Sequence, residues 1–172
     1  MSPFLTTLIA SGVILIVILA SDLGVRKVTG WRMLRSLIAV VVVIALFVRS
    51  LPMEGNDALL QLAGIGLGVI CGLVAAALLP AQRGADGEVH TIGGLGYALV
   101  WAVLSAARVI FAYGSEHWFS ADIVRFSIDY RLSGQDVYAN AFIFMALAMV
   151  LTRAAVLVNK RRSLTTEAKQ WA

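Results

Sequence analysis

The chain has 172 residues, 60% of them hydrophobic and only 14% charged, with a mean hydropathy of +0.87. A soluble domain is about half apolar and about a quarter charged, so this composition points to lipid and leaves little chain for a separate catalytic domain. The formal charge of +4 and pI near 9.6 come from Lys and Arg that flank apolar runs. That is the distribution that orients a membrane protein and not the basic patch of a nucleic-acid binder, so no nucleic-acid partner is expected.

The first apolar run covers residues 4–20. It has no basic residue before it, and Ile18 stands where signal-peptide cleavage needs a small side chain, so it reads as a retained helix. A polar stretch follows with Asp22, Arg26, Lys27, Arg32 and Arg35. The second run is centred on residues 37–48 and is short of the roughly 20 residues a spanning helix needs. Met33, Leu34 and Leu51 extend it to 33–51, with Arg35 and Arg49 snorkelling to opposite interfaces. A buried or re-entrant segment is the alternative there.

The third run covers residues 59–79 and stops at Pro80. The loop behind it contains Asp86-Gly87, a tight-turn pair that favours a small hairpin, although two short strands alone are marginal. The fourth run is 95–113, and an outer segment, 114–137, separates it from the fifth, 138–158. Residues 159–172 form a basic tail. In the segment 120–132, Val124, Phe126, Ile128, Tyr130 and Leu132 alternate with polar residues from Arg125 to Ser133, which suits a strand. An unpaired strand beside lipid leaves its backbone unsatisfied, so an interfacial helix anchored by Trp118 and Phe119 is the expectation.

Five spans put Arg26, Lys27, Arg32, Arg35, Arg83, Lys160, Arg161, Arg162 and Lys169 on one side, against Arg49, Arg125 and Arg131 on the other. The positive-inside rule then places the N-terminus outside and the tail in the cytoplasm. The expected fold is an all-α, five-span bundle, multi-pass in a plasma membrane. Compactness and plain flanks suggest a bacterial one.

Gly64, Gly68 and Gly72 line one face of the third span at helical spacing, which lets another helix approach closely. Packing inside the bundle ranks first, an interface with another chain second and a glycine-lined solute path last. In the fourth span Trp101, Ser105, Arg108 and Ala112 share a face directed into the bundle. An intramembrane arginine is a functional candidate by default. The plainer reading is that Arg108 snorkels outward or pairs with Glu54, Asp57 or Glu116. Arg153 has the same plain reading toward the opposite interface, so the two arginines are not expected to share a site.

Catalytic constellations find little support. His90 and His117 fall on opposite sides of the membrane in this topology and cannot share a metal. No zinc-protease, serine-hydrolase or P-loop motif occurs. Cys71, the only cysteine, forms no intramolecular disulfide and reads as a small core residue. No enzyme activity, metal or cofactor is expected.

The basic loop after the first span, Arg49 closing the second, the Arg83–Gly87–Glu88–Val89 loop, Arg108 and Arg153 together resemble the CcdC-like small membrane proteins, a family of largely unknown function. The resemblance covers most of the chain, and the outer segment 114–137 departs from it. It implies an accessory role in assembly near cytochrome c biogenesis and carries over no catalytic residue. The expected function is an accessory or assembly subunit, linked to cytochrome or respiratory-complex biogenesis. Its partners would be the lipid bilayer and a protein partner or second copy. The alternative is a small oligomeric transporter or channel for an anionic solute, with Arg108, Ser105, Trp101 and Arg49 as candidate binding residues.

Overall fold

The computed structural model describes residues 3–27, 29–48, 51–84 and 88–170. In chain order they form α1 (Pro3–Asp22), β1 (Gly24–Lys27), α2 (Gly30–Phe47), α3 (Asp57–Ala77), β2 (Ala81–Arg83), β3 (Val89–Gly93), α4 (Leu95–His117), α5 (Ser120–Asp129) and α6 (Gln135–Gln170). The chain is thus mainly helical, as its composition requires. Three helical stretches, Asp57–Ala77, Leu95–His117 and Asp136–Leu164, are long and apolar enough to cross a membrane. α1 and α2 are apolar helices of 20 and 18 residues at the positions of the first two expected spans.

α3 and α6 form the closest helix pair, and the glycines explain why. A Cβ on Gly64 would lie 2.5 Å from the Ala141 carbonyl oxygen and one on Gly72 2.8 Å from that of Met149. A Cβ on Gly68 would meet the Met145 carbonyl, whereas Gly66 on the other face has open space. The partners advance along α6 in step with the glycines along α3, so the two helices run parallel. Backbones approach this closely only where side chains are missing. Lys160 closes the far end, donating to the carbonyls of Ala76 (2.9 Å) and Leu79 (3.3 Å). A cation there satisfies carbonyls left over at a helix C-terminus and suits its dipole.

The N-terminal end of α3 is held by a different device. Asp57, fully buried, accepts from the Ser133 backbone N–H at 2.9 Å and from the Ser133 hydroxyl. The Asn56 N–H donates to the Arg131 carbonyl at 3.3 Å. Gly55 lies against that same carbonyl with φ +54, a left-handed conformation that glycine adopts without penalty. The chain after α5 is therefore pinned to the start of α3.

At the opposite end the three strands form one antiparallel sheet in the order β1-β3-β2. Val25 pairs with Ile92 and Arg26 with Thr91, while Gln82 pairs with His90. The expected hairpin, β2–β3, thus gains a third strand from the loop after α1, which supplies the pairing that two short strands lack. The Asp86-Gly87 turn itself lies outside the described residues. Val89, Thr91 and Gly93 are buried in alternation, the period of a strand with one covered face.

Segment 120–132 is helical over Ser120–Asp129, as the backbone argument requires. α5 sits at the end of α4, where the Phe119 ring fills the space beside Gly114 and packs on Phe111 at 5.7 Å. Its Ser127 hydroxyl lies 3.1 Å from that of Tyr138 on α6. The buried core gathers Ile18, Val40, Ala75, Leu79, Tyr97, Trp101 and Val150, so all five long helices contribute to it.

Candidate functional site

α4 carries a polar stripe along its buried face. Tyr97, Trp101, Ser105 and Arg108 recur at helical spacing and are all buried, Arg108 at 3% exposure. Polar groups in such a row each need a partner, because a buried donor left without one costs about 1–3 kcal/mol, and more for a charged group. The stripe divides into a satisfied end and an unsatisfied one.

The satisfied end is a buried ion-pair centre beside the sheet. Asp22, the last residue of α1, pairs through Oδ2 with Arg153 Nη1 of α6. The Tyr97 hydroxyl donates to the same carboxylate oxygen at 2.5 Å and accepts from Arg153 Nη1 at 3.0 Å. Three helices therefore meet at one neutral cluster, and Gly93 of β3 allows the strand to pass directly over the Asp22 carbonyl. Chemically the cluster is a lock: its acid and base neutralise each other and the phenol bridges them. The expectation that Arg153 snorkels to the nearby interface is corrected here. Tyr97 and Asp22 give its guanidinium an internal partner set, which a polar group in lipid prefers to a long reach outward.

The unsatisfied end follows one turn further along α4. Trp101 Nε1, Ser105 Oγ and Arg108 Nη2 are buried side-chain atoms without a hydrogen-bond partner among the described residues, and Arg153 Nε joins them. Trp101 packs edge-on against Tyr97 with its ring 6.3 Å away, so its indole N–H lies within the bundle. Ser105 does not bond back to the preceding turn, the usual outlet for a helical serine. Arg108 Nε donates to the Leu104 carbonyl at 3.2 Å. That bond holds the guanidinium against its own helix. Arg108 is thus buried and does not pair with Asp57, whose oxygens are taken by Ser133.

Arg108 and Tyr97 are separated by about 16 Å of helix rise, so the Arg153 cluster and the Arg108 donors are two centres. Cys71 of α3 is half-buried and is an electrostatic neighbour of Arg108. His90 lies on β3 and His117 at the last turn of α4, stacked on Tyr113. About 33 Å of helix rise separates the two ends of α4. Among the described residues no cluster of His, Cys, Asp and Glu is arranged to hold a metal. Arg49 lies outside the described residues. Gly64, Gly68 and Gly72 face α6 within the chain.

Two hollows flank these centres. A cleft of about 270 Å³ opens between α4, α5 and α6, lined by Phe111, Ile123, Ser127, Leu132 and Tyr138 among others. A smaller apolar groove of about 90 Å³ runs between α1, α2 and α6 from Val13 to Arg153.

Sequence reasoning found the Trp101–Ser105–Arg108 face but missed the Asp22–Tyr97–Arg153 cluster. The signal was depth. In the expected five-span register Asp22 lies two residues past the end of one span, Tyr97 begins another, and Arg153 lies a turn and a half from the end of a third, all toward the same membrane face. Comparisons with protein-family models, with curated proteins and with solved structures gave no match.

Proposed function

We propose that the chain is a five-span bacterial plasma-membrane protein, N-terminus outside and tail in the cytoplasm, that serves as an accessory or assembly subunit. The CcdC-like resemblance extends this reading to cytochrome or respiratory-complex biogenesis. The observation that carries it is α5. This helix is fixed at the end of the bundle by Phe119 and Ser127, yet Val124, Phe126, Ile128 and Tyr130 all remain exposed. The glycine face of α3 is used by α6, so the surface for a partner is α5 together with the outward faces of α1 and α2. An amphipathic segment held rigidly and left uncovered is suited to docking against a second chain at the membrane surface.

Mild-detergent purification with native mass spectrometry, followed by cross-linking from position 124 or 128, tests the proposal. A co-purifying protein or a second copy, lost when both positions are changed (V124D with I128D), is the expected result. A strictly monomeric species whose α5 cross-links only to lipid overturns it.

A second reading is supported by the unpartnered donors of α4: a small oligomeric transporter or channel for an anionic solute, using Arg108. It requires a water-accessible path. Cysteines placed at 101, 105 and 112 in a C71A background should then react with membrane-impermeant thiol reagents, and uniform protection of all three would exclude it.

A further inference from the structure

We infer that Trp101, Ser105 and Arg108 form a binding site for a single carboxylate group inside the helix bundle. The inference rests on the second reading for its location at Arg108, but it requires binding alone and not transport.

The donors select the ligand. Trp101 Nε1 and Arg108 Nη2 can only donate, and Ser105 Oγ, unbonded to its own helix, is free to do so. The complementary group is therefore rich in acceptors. Arg108 Nε is engaged by the Leu104 carbonyl, which holds the guanidinium against its own helix and leaves Nη2 without a partner. Trp101 follows one turn away on the same face, about 6 Å further along the axis. The three donors thus share one buried face of α4 inside the bundle.

Charge narrows the choice. Asp22, the carboxylate nearest this face on α1, is neutralised by Arg153, and Asp57 is bound to Ser133. One guanidinium without a bonded acid favours one negative charge, since a second would stay uncompensated in a low-dielectric interior. A carboxylate is a monoanion at neutral pH, while phosphate is partly dianionic. It also offers two oxygens with enough lone pairs for three donors. The location argues against a lipid headgroup: Ser105 lies near the middle of α4, about 15 Å of rise from Leu95 and about 18 Å from His117. The bound molecule is a small carboxylic acid or an amphiphile whose acid end enters the bundle.

The test uses the full-length protein in mild detergent, with thermal unfolding followed in sodium acetate, sodium decanoate, sodium phosphate and sodium chloride at matched ionic strength. Acetate or decanoate should raise Tm saturably, and chloride and phosphate should not. Acetate acting alone identifies a water-soluble acid, and decanoate acting alone identifies an acid delivered from the lipid phase. R108M should abolish the response, and S105A and W101F should each weaken binding about ten-fold. R108K, which keeps the charge, should retain part of it. Should R108M not fold, the milder S105A and W101F decide. A wild-type response to carboxylates no different from that to chloride overturns the site, as does a response that S105A and W101F leave intact. Binding without thiol-reagent access leaves the site standing and removes transport.

Discussion

Arg153 is surrounded by two helices that are not its own, and each supplies a different kind of partner. Asp22 supplies charge, and Tyr97 supplies a hydroxyl that bridges acid and base. In so dry a site the attraction between the charges is offset by the cost of removing them from water, so the pair adds little net stability. Losing one member, however, strands the other. D22N or R153M alone should therefore destabilise the folded protein by about 3–5 kcal/mol, measured by unfolding in mixed micelles. The double substitution should recover most of that loss. A double variant as unstable as the two single effects combined would show that the residues act separately. Y97F, which removes one hydroxyl from a charged cluster, should cost about 1.5–3 kcal/mol. The cluster was hard to read from the sequence because Asp22 sits among the polar residues that follow the first span. An acid there looks like loop until its depth is compared with that of Arg153. The α4 stripe was easier, because residues at helical spacing share a face whatever the rest of the chain does.

At the scale of elements, α3 is held at three levels: Asp57 to Ser133 at its start, glycines on α6 in its middle and Lys160 at its end. Adding one methyl at Gly68 places it against the Met145 carbonyl and the Ala148 methyl. Backbone cannot yield there as a flexible side chain would. G68A should lower stability by about 1–3 kcal/mol, the range of overpacking, while G66A, facing open space, should be neutral or slightly stabilising as alanine favours the helix. Equal effects at the two positions would place the close contact elsewhere. D57A should loosen the link between α3 and the loop after α5 by about 1.5–3 kcal/mol, since it removes a charged acceptor of two hydrogen bonds. It should also raise hydrogen exchange at Ser133 first. The glycine face was legible because small residues at fixed spacing mark a face that another helix can approach closely. β1 was not, since its four residues are all exposed and show no alternation. What makes Gly24–Lys27 a strand is β3, a partner far along the chain, and pairing at that distance leaves no local pattern.

The same pairing bears on the whole molecule. β1 follows α1 and β3 precedes α4, and the two are hydrogen-bonded in one sheet. Two strands of one sheet occupy one side of a membrane, so the chain between Lys27 and Val89 must cross an even number of times. α3 is long and apolar enough to cross; if it does, α2 must cross as well, short though it is. The directions of the remaining helices agree with this. α3 and α6 run parallel, and α4 leads from the sheet end to the α5 end, so α6 returns toward the sheet. α1, antiparallel to α4 and with Asp22 meeting Tyr97 and Arg153 at the sheet end, would supply the fifth crossing of the proposed arrangement. With the basic residues concentrated at the sheet end and after α6, the proposed orientation has that end in the cytoplasm. Single cysteines at Glu88 and at Asp129, both exposed, in a C71A background, check the arrangement in intact cells. An impermeant maleimide should label position 129 from outside and should reach position 88 only after the membrane is opened. Labelling of both from outside would break the five-span arrangement, because the sheet and α5 would then share a side. Labelling of position 88 alone would keep the number of crossings and invert the protein, which would turn α5 and its uncovered side chains toward the cytoplasm.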